Sequence, residues 1–155
     1  MVNLAHTLAA AGLLVLPALA LAEPAGPLQL TARTMLVREI VEAGQRRETL
    51  GPADRVVPGD TVEIATGFTN TGPARIEAFT LTSAVPRGLA LTDPGGCLPS
   101  VDGGNRFDAL PRLTVTDADG KERPAVLGDV TTLRCTIAPV PPGGSGQHAY
   151  RAIVK

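Results

Sequence analysis

The chain has 155 residues, with 14 Lys and Arg against 15 Asp and Glu and a formal net charge of −1. A near-neutral chain without runs of basic residues argues against a surface built to grip nucleic-acid phosphates. Aromatic residues make up only 3% of the chain and Trp is missing, so the exposed aromatic platforms typical of sugar-binding faces are not expected either.

The N-terminal segment has the pattern of an export signal. Leu8–Ala22 is apolar over about 15 residues, which is shorter than the roughly 20 that a membrane helix needs. Residues 20–22 are Ala, Leu and Ala, a small-x-small cleavage site, and residues 18–20 form a second candidate of the same kind. We favour cleavage between Ala22 and Glu23. No Lys or Arg precedes the apolar run, and an uncleaved membrane anchor is the alternative. A cleaved chain, with no later apolar run that could span a membrane, would be periplasmic or extracellular.

The remaining chain of about 133 residues fits one domain and is long enough to bury a core. We interpret residues 23–27 as a flexible lead-in and residues 28–155 as the domain. The whole chain contains 17 Gly and 14 Pro, and many short strands separated by such turn residues favour an all-β sandwich.

The clearest strand pattern lies between Val56 and Leu91. Apolar and polar residues alternate from Val62 to Thr69 and again from Phe79 to Val85, while residues 70–73 (Asn, Thr, Gly, Pro) interrupt them. A period of two indicates a strand with one buried and one exposed face. Because the connection is short and rich in turn residues, we predict that the two strands are neighbours in an antiparallel sheet.

Two stretches carry a family resemblance. PGDTVEIATGFTNTG followed by VPRGLAL, together with the C-terminal VTTLRCTIAPVPPGGSGQHAYRAIVK, resembles the prokaryotic conserved-repeat family, number eleven among the domains of unknown function. The resemblance covers roughly Leu28 to Lys155. It implies an immunoglobulin-like antiparallel β-sandwich of about seven to nine strands, of a kind found in large surface proteins, and it supplies no catalytic residues. Cys135 stands where the family often has Trp.

Other segments complete the prediction. Leu28–Glu42 has helical spacing in part, but its β-branched residues and the resemblance favour two short strands. Asp93–Gly104 is rich in Gly, Pro and Asp and is interpreted as a loop. Leu113–Thr116 is a short strand, and Asp117–Gly120 is a hairpin turn signal. The predicted core is Val62, Ile64, Phe68, Phe79, Leu81, Leu133, Ile137, Tyr150 and Val154.

Catalytic and metal chemistry find little support in the residue types. His148 is the one histidine after the signal segment, which argues against a catalytic triad, and we expect it to be exposed beside the start of the last strand. His148, Cys97 and Cys135 show no close zinc-ligand spacing. We therefore predict no catalytic residue, no cofactor and no metal site.

Two acidic, Gly-containing loops have turn chemistry. Asp117–Gly120 resembles part of a calcium loop but lacks the remaining ligands and the terminal Glu, so the hairpin turn is the preferred interpretation. Ser100–Phe107 resembles one imperfect Asp-box, a hairpin motif of sialidase-like propellers. We expect the Asp102 side chain to cap backbone amides and Phe107 to turn inward.

The two cysteines predict a disulfide between Cys97 and Cys135. Their number is even and the export signal directs them to an oxidising compartment. Cys135 lies on the inward face of a predicted strand, and Gly95 and Gly96 give the chain before Cys97 the freedom to approach it. Two free thiols, with Cys135 as a small core residue, are the alternative.

These observations favour an exported, non-catalytic module with a structural or interaction role at the bacterial envelope or surface. It would bind an envelope or surface protein through its loops or an edge strand. Two alternatives remain open. One is a ligand-binding protein or enzyme that uses the acidic, Gly-rich loops, and the other is an assembly factor that donates or accepts a strand.

The export signal makes the first prediction. N-terminal sequencing of the protein purified from its host should start at Glu23, because Ala20 and Ala22 supply the small residues that signal peptidase recognises. An intact Met1 would contradict export by cleavage. Replacing Ala22 with a bulky residue should block cleavage before Glu23, whereas the same replacement at Leu21 should leave this cleavage unchanged.

Overall fold

The computed structural model describes residues 26–155, so the predicted cleavage between Ala22 and Glu23 lies outside the described residues. The described chain is almost entirely antiparallel β-structure with two short 3-10 turns, and none of its helical segments is long and apolar enough to cross a membrane. The strands are β1 (Leu28–Glu42), β2 (Gln45–Pro52), β3 (Thr61–Asn70), β4 (Phe79–Ala84), β5 (Leu89–Asp93), β6 (Leu98–Ser100), β7 (Thr114–Thr116), β8 (Glu122–Pro124), β9 (Thr132–Ile137) and β10 (Ser145–Val154).

Two sheets form the predicted sandwich. One has five strands in the order β2-β1-β3-β10-β5, and the other has three in the order β4-β9-β6. Their combined number lies within the predicted range of about seven to nine. Strands β7 and β8 form a separate hairpin around the Asp117–Gly120 turn, as the sequence predicts. The all-β antiparallel fold is thus confirmed.

The prediction of two short strands over Leu28–Glu42 is wrong, because β1 is one continuous strand. Its first part, from Leu28 to Val37, pairs with β3, and its second part, from Met35 onward, pairs with β2. The overlap at residues 35–37 is hydrogen-bonded on both sides, and this keeps the backbone extended where one partner replaces the other. A local pattern of side chains does not report such an exchange of partners.

The prediction that β3 and β4 are neighbours is also wrong. β3 lies between β1 and β10, whereas β4 pairs with β9 in the opposite sheet. Residues 71–78 connect them, and eight residues are enough to cross the roughly 10 Å between packed sheets. An isolated bridge between Ile76 and Val140 fixes this crossing. Both strands bury an apolar face, but they do so from opposite sides of the core.

Asn70 anchors the end of β3 at the start of that crossing. Its side chain is completely buried, and its amide nitrogen donates to the carbonyls of Ala74 and Val140 at 2.8 and 3.0 Å. Its amide oxygen accepts from the backbone N–H of Gly72 at 3.0 Å. A buried amide with its polar atoms paired in this way costs little to bury and ties β3 to the segment before β10.

The core lies between the five-stranded and three-stranded sheets. Val62, Leu81, Leu133 and Tyr150 of the predicted core are buried, and Ile64 and Ile137 pack against the cluster while partly exposed. Phe68, Phe79 and Val154 are only half-buried. The rings of Phe68 and Phe79 meet edge to face with centroids 5.7 Å apart, a favoured aromatic geometry, at the rim of the core.

One strand was missed. β6 lies inside Asp93–Gly104, which the sequence presents as a loop, and it pairs with β9 through Leu98, Pro99 and Ser100. Three residues are too few to show a period of two. Pro99 lacks a backbone N–H to donate, a residue type found on edge strands, and β6 is the edge of its sheet.

The completely buried Leu133 makes a stability prediction, with Leu98 as its matched control. The two residues lie on adjacent strands, but Leu98 is 49% exposed. Leu133→Ala should lower the free energy of unfolding by about 2–5 kcal/mol, because it removes transfer energy and leaves a cavity. Leu98→Ala should change it by less than about 0.5 kcal/mol. Chemical denaturation of both variants would measure this, and equal losses would show that the core is misplaced.

Candidate functional site

The two cysteines form the disulfide that the sequence predicts. Cys97 and Cys135 are bonded, with their Cα atoms 4.5 Å apart and 38 residues apart in sequence, and both are buried. Cys135 faces inward from β9, between Leu133 and Ile137. Cys97 comes from the loop that carries the chain from β5 in one sheet to β6 in the other. The bond therefore fastens this crossing to the central strand of the three-stranded sheet.

Gly95 explains how the loop reaches this position. A Cβ atom added there would lie 2.0 Å from the carbonyl oxygen of Ala149 and 3.0 Å from Cε1 of His148, and its φ is +60°. No other residue type fits both the space and the backbone conformation. The Asp93 carboxylate accepts from the Gly95 N–H at 2.8 Å and holds the turn. The loop thus lies directly on β10, beside His148.

His148 contacts the disulfide and is half-buried, which corrects the prediction that it is exposed. Its Nε2 lies 2.8 Å from Sγ of Cys97, and the ring is half-buried. One ligand-type atom from each of Cys97, Cys135 and His148 lies within 4.8 Å of the others. The alternation of His148 with Tyr150 and Ala152 already placed the imidazole on the inward face of β10, and this was the available signal.

Burial shifts the pKa values of the two titratable side chains on the inner face of β10. It lowers the pKa of the His148 imidazole below its usual value, so the neutral ring is favoured near pH 7. In the tautomer with its proton on Nε2, the ring donates to the Cys97 sulfur. Burial also raises the pKa of the Tyr150 phenol, whose hydroxyl donates to the carbonyl of Ala84 at 3.2 Å.

The two acidic loops have the turn roles that the sequence indicates. The Asp102 carboxylate accepts from the Ser100 hydroxyl at 2.6 Å and from the N–H groups of Asn105 and Arg106 at 3.0 Å, and these hydrogen bonds lower its pKa. Asp117 accepts from the N–H groups of Asp119 and Lys121. Phe107, predicted to turn inward, is half-buried and lies beneath the Arg134 guanidinium, 3.7 Å from the ring centroid.

The surface depressions of residues 26–155 include two that Phe68 lines in part. One, of about 430 Å³, lies on the outer face of the five-stranded sheet, and Arg33 is its only charged lining residue. The other, of about 390 Å³, is lined by Phe68 and by residues of the β9–β10 connection, with no charged side chain among them. Neither depression brings together the paired acid and base groups that hydrolytic chemistry uses.

A different feature stands out at the side of the sandwich. β2 covers only the second part of β1, so among residues 26–155 no strand pairs with the outer edge of Leu28–Thr34. We call this edge, together with the inner-face side chains of Leu30, Ala32 and Thr34, the open flank. Leu30 is 53% exposed although it belongs to the face that covers the core.

The direction of the backbone groups in the open flank follows from the register. Thr71 donates its N–H to the carbonyl of Pro27, so Pro27 and every second residue after it point toward β3. Leu28, Leu30, Ala32 and Thr34 consequently direct their N–H and C=O groups to the unpaired edge. The same alternation makes Glu42 and Gln45 the hydrogen-bonded pair that closes the two-residue hairpin loop between β1 and β2.

Strand β4 of the other sheet contacts β3 and β10 at two points. Phe79 at its start meets Phe68, which is opposite Leu30 in the register, and Ala84 at its end meets Tyr150. Tyr150 and Thr34 both lie opposite Ile64. β9 pairs with β4 on one side, and no described strand pairs with the other edge of β4. Each sheet therefore has an unpaired strand edge among the described residues, namely the first part of β1 in one sheet and β4 in the other.

The outer edge of β2 differs in chemistry. It carries Arg46, Arg47 and Glu48, which form ion pairs with Glu39, Glu42 and Arg151, and it ends in Pro52. Charged residues and Pro are the usual protection of an edge strand against unwanted pairing. Leu28–Thr34 contains one charged residue, Arg33, and no Pro. The open flank thus lacks the protection that its neighbour has.

A comparison of the chain with models of known families, with curated proteins and with solved structures found no match. The resemblance to the prokaryotic conserved-repeat family stays a prediction from the sequence.

The disulfide makes a prediction about stability. Closing a loop of this length restricts the unfolded chain by about 4 kcal/mol, so reduction by a dithiol should lower the free energy of unfolding by roughly that amount. The Cys97→Ser, Cys135→Ser double variant should not respond to the dithiol. Thiol titration of the denatured, unreduced protein should find almost no free thiol. Two free thiols per chain in protein taken from its natural compartment would contradict the bond.

Proposed function

We propose that this protein is an exported, non-catalytic β-sandwich module that binds a protein of the bacterial envelope or surface by adding an extended segment of it to the open flank. The segment would pair with the free edge of Leu28–Thr34. It would lie on the same side of β1 as β2, next to the part of β1 that β2 leaves unpaired. Main-chain hydrogen bonds would supply affinity, and the alternate side chains would supply specificity. A protein of this kind would be a strand-accepting interaction module.

The observation that supports this proposal is that unpaired backbone groups and exposed apolar side chains occur together in the open flank. Leu28–Thr34 offers unpaired backbone groups, and its inner-face side chains, Leu30 above all, are exposed at the side of the core. An added strand would satisfy both at once. Water can hydrogen-bond the backbone groups in the free protein, but only a covering segment removes the apolar side chains from water.

The flank also indicates the chemistry of its occupant. Residues of the added strand beside Leu30 and Ala32 would face the core and should be apolar. Residues on the other face would lie beside Thr31 and Arg33. Arg33 forms no ion pair with any described residue, so an acidic side chain opposite it is favoured. We therefore expect an extended segment that alternates apolar and polar residues and carries a carboxylate.

The disulfide and the hydrogen bonds of the candidate catalytic side chains are consistent with this function. Structural disulfides persist in oxidising compartments such as the periplasm and the cell exterior. His148, a candidate general base, contacts a disulfide sulfur, and a disulfide has no proton that the imidazole could accept. An enzyme that works through the acidic loops is less well supported, because Asp102 and Asp117 are engaged by backbone N–H groups.

Site-specific cross-linking in the host tests this function. A photo-cross-linking amino acid in place of Ala32 should give a covalent adduct with a partner protein, whereas the same residue in place of Leu50 on β2 should not. Mass spectrometry of the adduct should locate the cross-link in an extended segment of alternating apolar and polar residues. A cross-link only to a second copy of this chain, or equal adducts from both positions, would overturn the proposal.

A pair of charge substitutions supplies the matched control. Leu30 and Leu50 are similarly exposed, at 53% and 46%, and each lies on an edge segment. With the probe at Ala32, Leu30→Lys should reduce the adduct at least about tenfold, because burying an unpaired ammonium group costs more than the 1.4 kcal/mol that corresponds to a tenfold change. Leu50→Lys should leave the adduct unchanged. An undiminished adduct in the Leu30→Lys protein would contradict binding at the flank.

A further inference from the structure

The cluster of Cys97, Cys135 and His148 has a second chemical state besides the disulfide. We propose that reduction converts this cluster into a binding site for one Zn²⁺ ion, held by the two thiolates and the imidazole. The inference is independent of the proposed function, because it concerns the interior of the sandwich and not the open flank.

The geometry places the three ligands at one point before any ion is present. Their ligand atoms all lie within 4.8 Å of one another, and Nε2 of His148 is 2.8 Å from the Cys97 sulfur. A tetrahedral zinc site with bonds of about 2.3 Å to sulfur and about 2.0–2.1 Å to nitrogen separates its ligands by roughly 3.3–3.8 Å. Once the covalent bond is broken, rotation about the two Cα–Cβ bonds is enough to open the sulfurs to that spacing.

The backbone around the cluster can accept this adjustment. His148 lies on β10, which pairs with β3, and Cys135 lies on β9, which pairs with β4 in the facing sheet. These pairings hold both residues in place. Cys97 follows Gly95 and Gly96, both with positive φ, so the third ligand comes from a turn of low steric restriction. Two fixed ligands and one adaptable ligand favour capture of an ion over a rigid mismatch.

Charge balance favours Zn²⁺ over Cu⁺ at this position. Both cysteines are buried, at 7% and 5% exposure, and a net charge at this position would be costly to bury. Two thiolates and a neutral imidazole around Zn²⁺ sum to zero charge, whereas the same ligands around Cu⁺ leave one negative charge. Soft thiolate ligands suit both ions, so the neutral complex with Zn²⁺ is favoured. Because His148 is half-buried, we expect water as the fourth ligand.

The conversion balances in electrons and protons. A dithiol reductant transfers two electrons and two protons to the Cys97–Cys135 bond, which becomes two thiols, while the reductant becomes a cyclic disulfide. Zn²⁺ then displaces the two thiol protons. An oxidant of the disulfide class, acting after the ion has left, restores the bond. The oxidised protein therefore has no ligands for zinc, and the site exists only in the reduced state.

Metal titration of the reduced protein tests the site. The mature chain is reduced with a dithiol, separated from the reductant without oxygen, and titrated with Zn²⁺ alone or with Co²⁺ as a spectroscopic probe. We expect one equivalent of Zn²⁺ per reduced chain, none per oxidised chain, and a thiolate-to-cobalt charge-transfer band with Co²⁺. Binding by the oxidised chain, or one equivalent of Cu⁺ with no Zn²⁺, would overturn the proposal.

Substitutions at two adjacent positions distinguish Zn²⁺ binding at this site from binding of Zn²⁺ by the thiols alone. His148→Ala should weaken Zn²⁺ binding by more than tenfold, since even residues that only orient a ligand typically contribute 10- to 100-fold. Gln147→Ala, exposed on the opposite face of the same strand, should bind as the parent does. Equal binding in the His148→Ala protein would overturn the assignment of the imidazole as a ligand.

Thermal unfolding covers the case in which reduction destabilises the chain. An ion that binds only the folded form raises the unfolding temperature with its concentration. Zn²⁺ should raise the unfolding temperature of the reduced parent and of Gln147→Ala, and should leave those of the oxidised parent and of reduced Cys135→Ser unchanged. No rise in the reduced parent would overturn the site.

Discussion

His148, Tyr150 and Ala152 project from the inner face of β10, and the other sheet packs on this row. Tyr150 and Ala152 are buried, and Tyr150 packs in one cluster with Leu81 of β4 and Leu133 of β9. The loop that carries Cys97 lies against His148. β10 is hydrogen-bonded to β3 on one side and to β5 on the other. This pairing fixes the position of the three side chains relative to the opposite sheet. The core, the disulfide and the cluster beside it all depend on that placement.

The unequal widths of the two sheets determine the character of the surface. Three strands cannot cover five. The three-stranded sheet and its loops contact β3 and β10, whereas the first part of β1 stays exposed. Leu30 is exposed for this reason and not because its strand is irregular. The same mismatch leaves β2 and the second part of β1 as a hairpin whose own ion pairs and Pro protect its edge.

The disulfide connects stability with the chemistry of the inner face. Its formation consumes both thiolates and leaves His148 as a hydrogen-bonding neighbour of sulfur, while its reduction would release two ligands beside a third. Both states use the same atoms, so they exclude one another. The oxidised state strengthens the crossing from β5 to β6, which is also the segment where Gly95 must approach the backbone of β10.

The sequence by itself determined the features that depend on local chemistry. The period of two located β3, β4, β9 and β10 and their inward faces, because alternation is a property of each strand alone. The turn at Asp117–Gly120 and the capping by Asp102 followed from side chains that bond their own backbone. The pairing of Cys97 with Cys135 followed from there being two cysteines in the chain and an expected oxidising compartment.

Only the tertiary structure decided which strands are neighbours and what meets across the core. A strand pattern specifies a buried face but not the partner that supplies its hydrogen bonds, so β3 and β4 were wrongly paired and β1 was wrongly divided. Pro99 and a length of three residues concealed β6. His148 lies 51 residues from Cys97 in the chain, and the open flank results from the widths of two sheets. Both depend on contacts between distant segments, which arise when the sheets pack together.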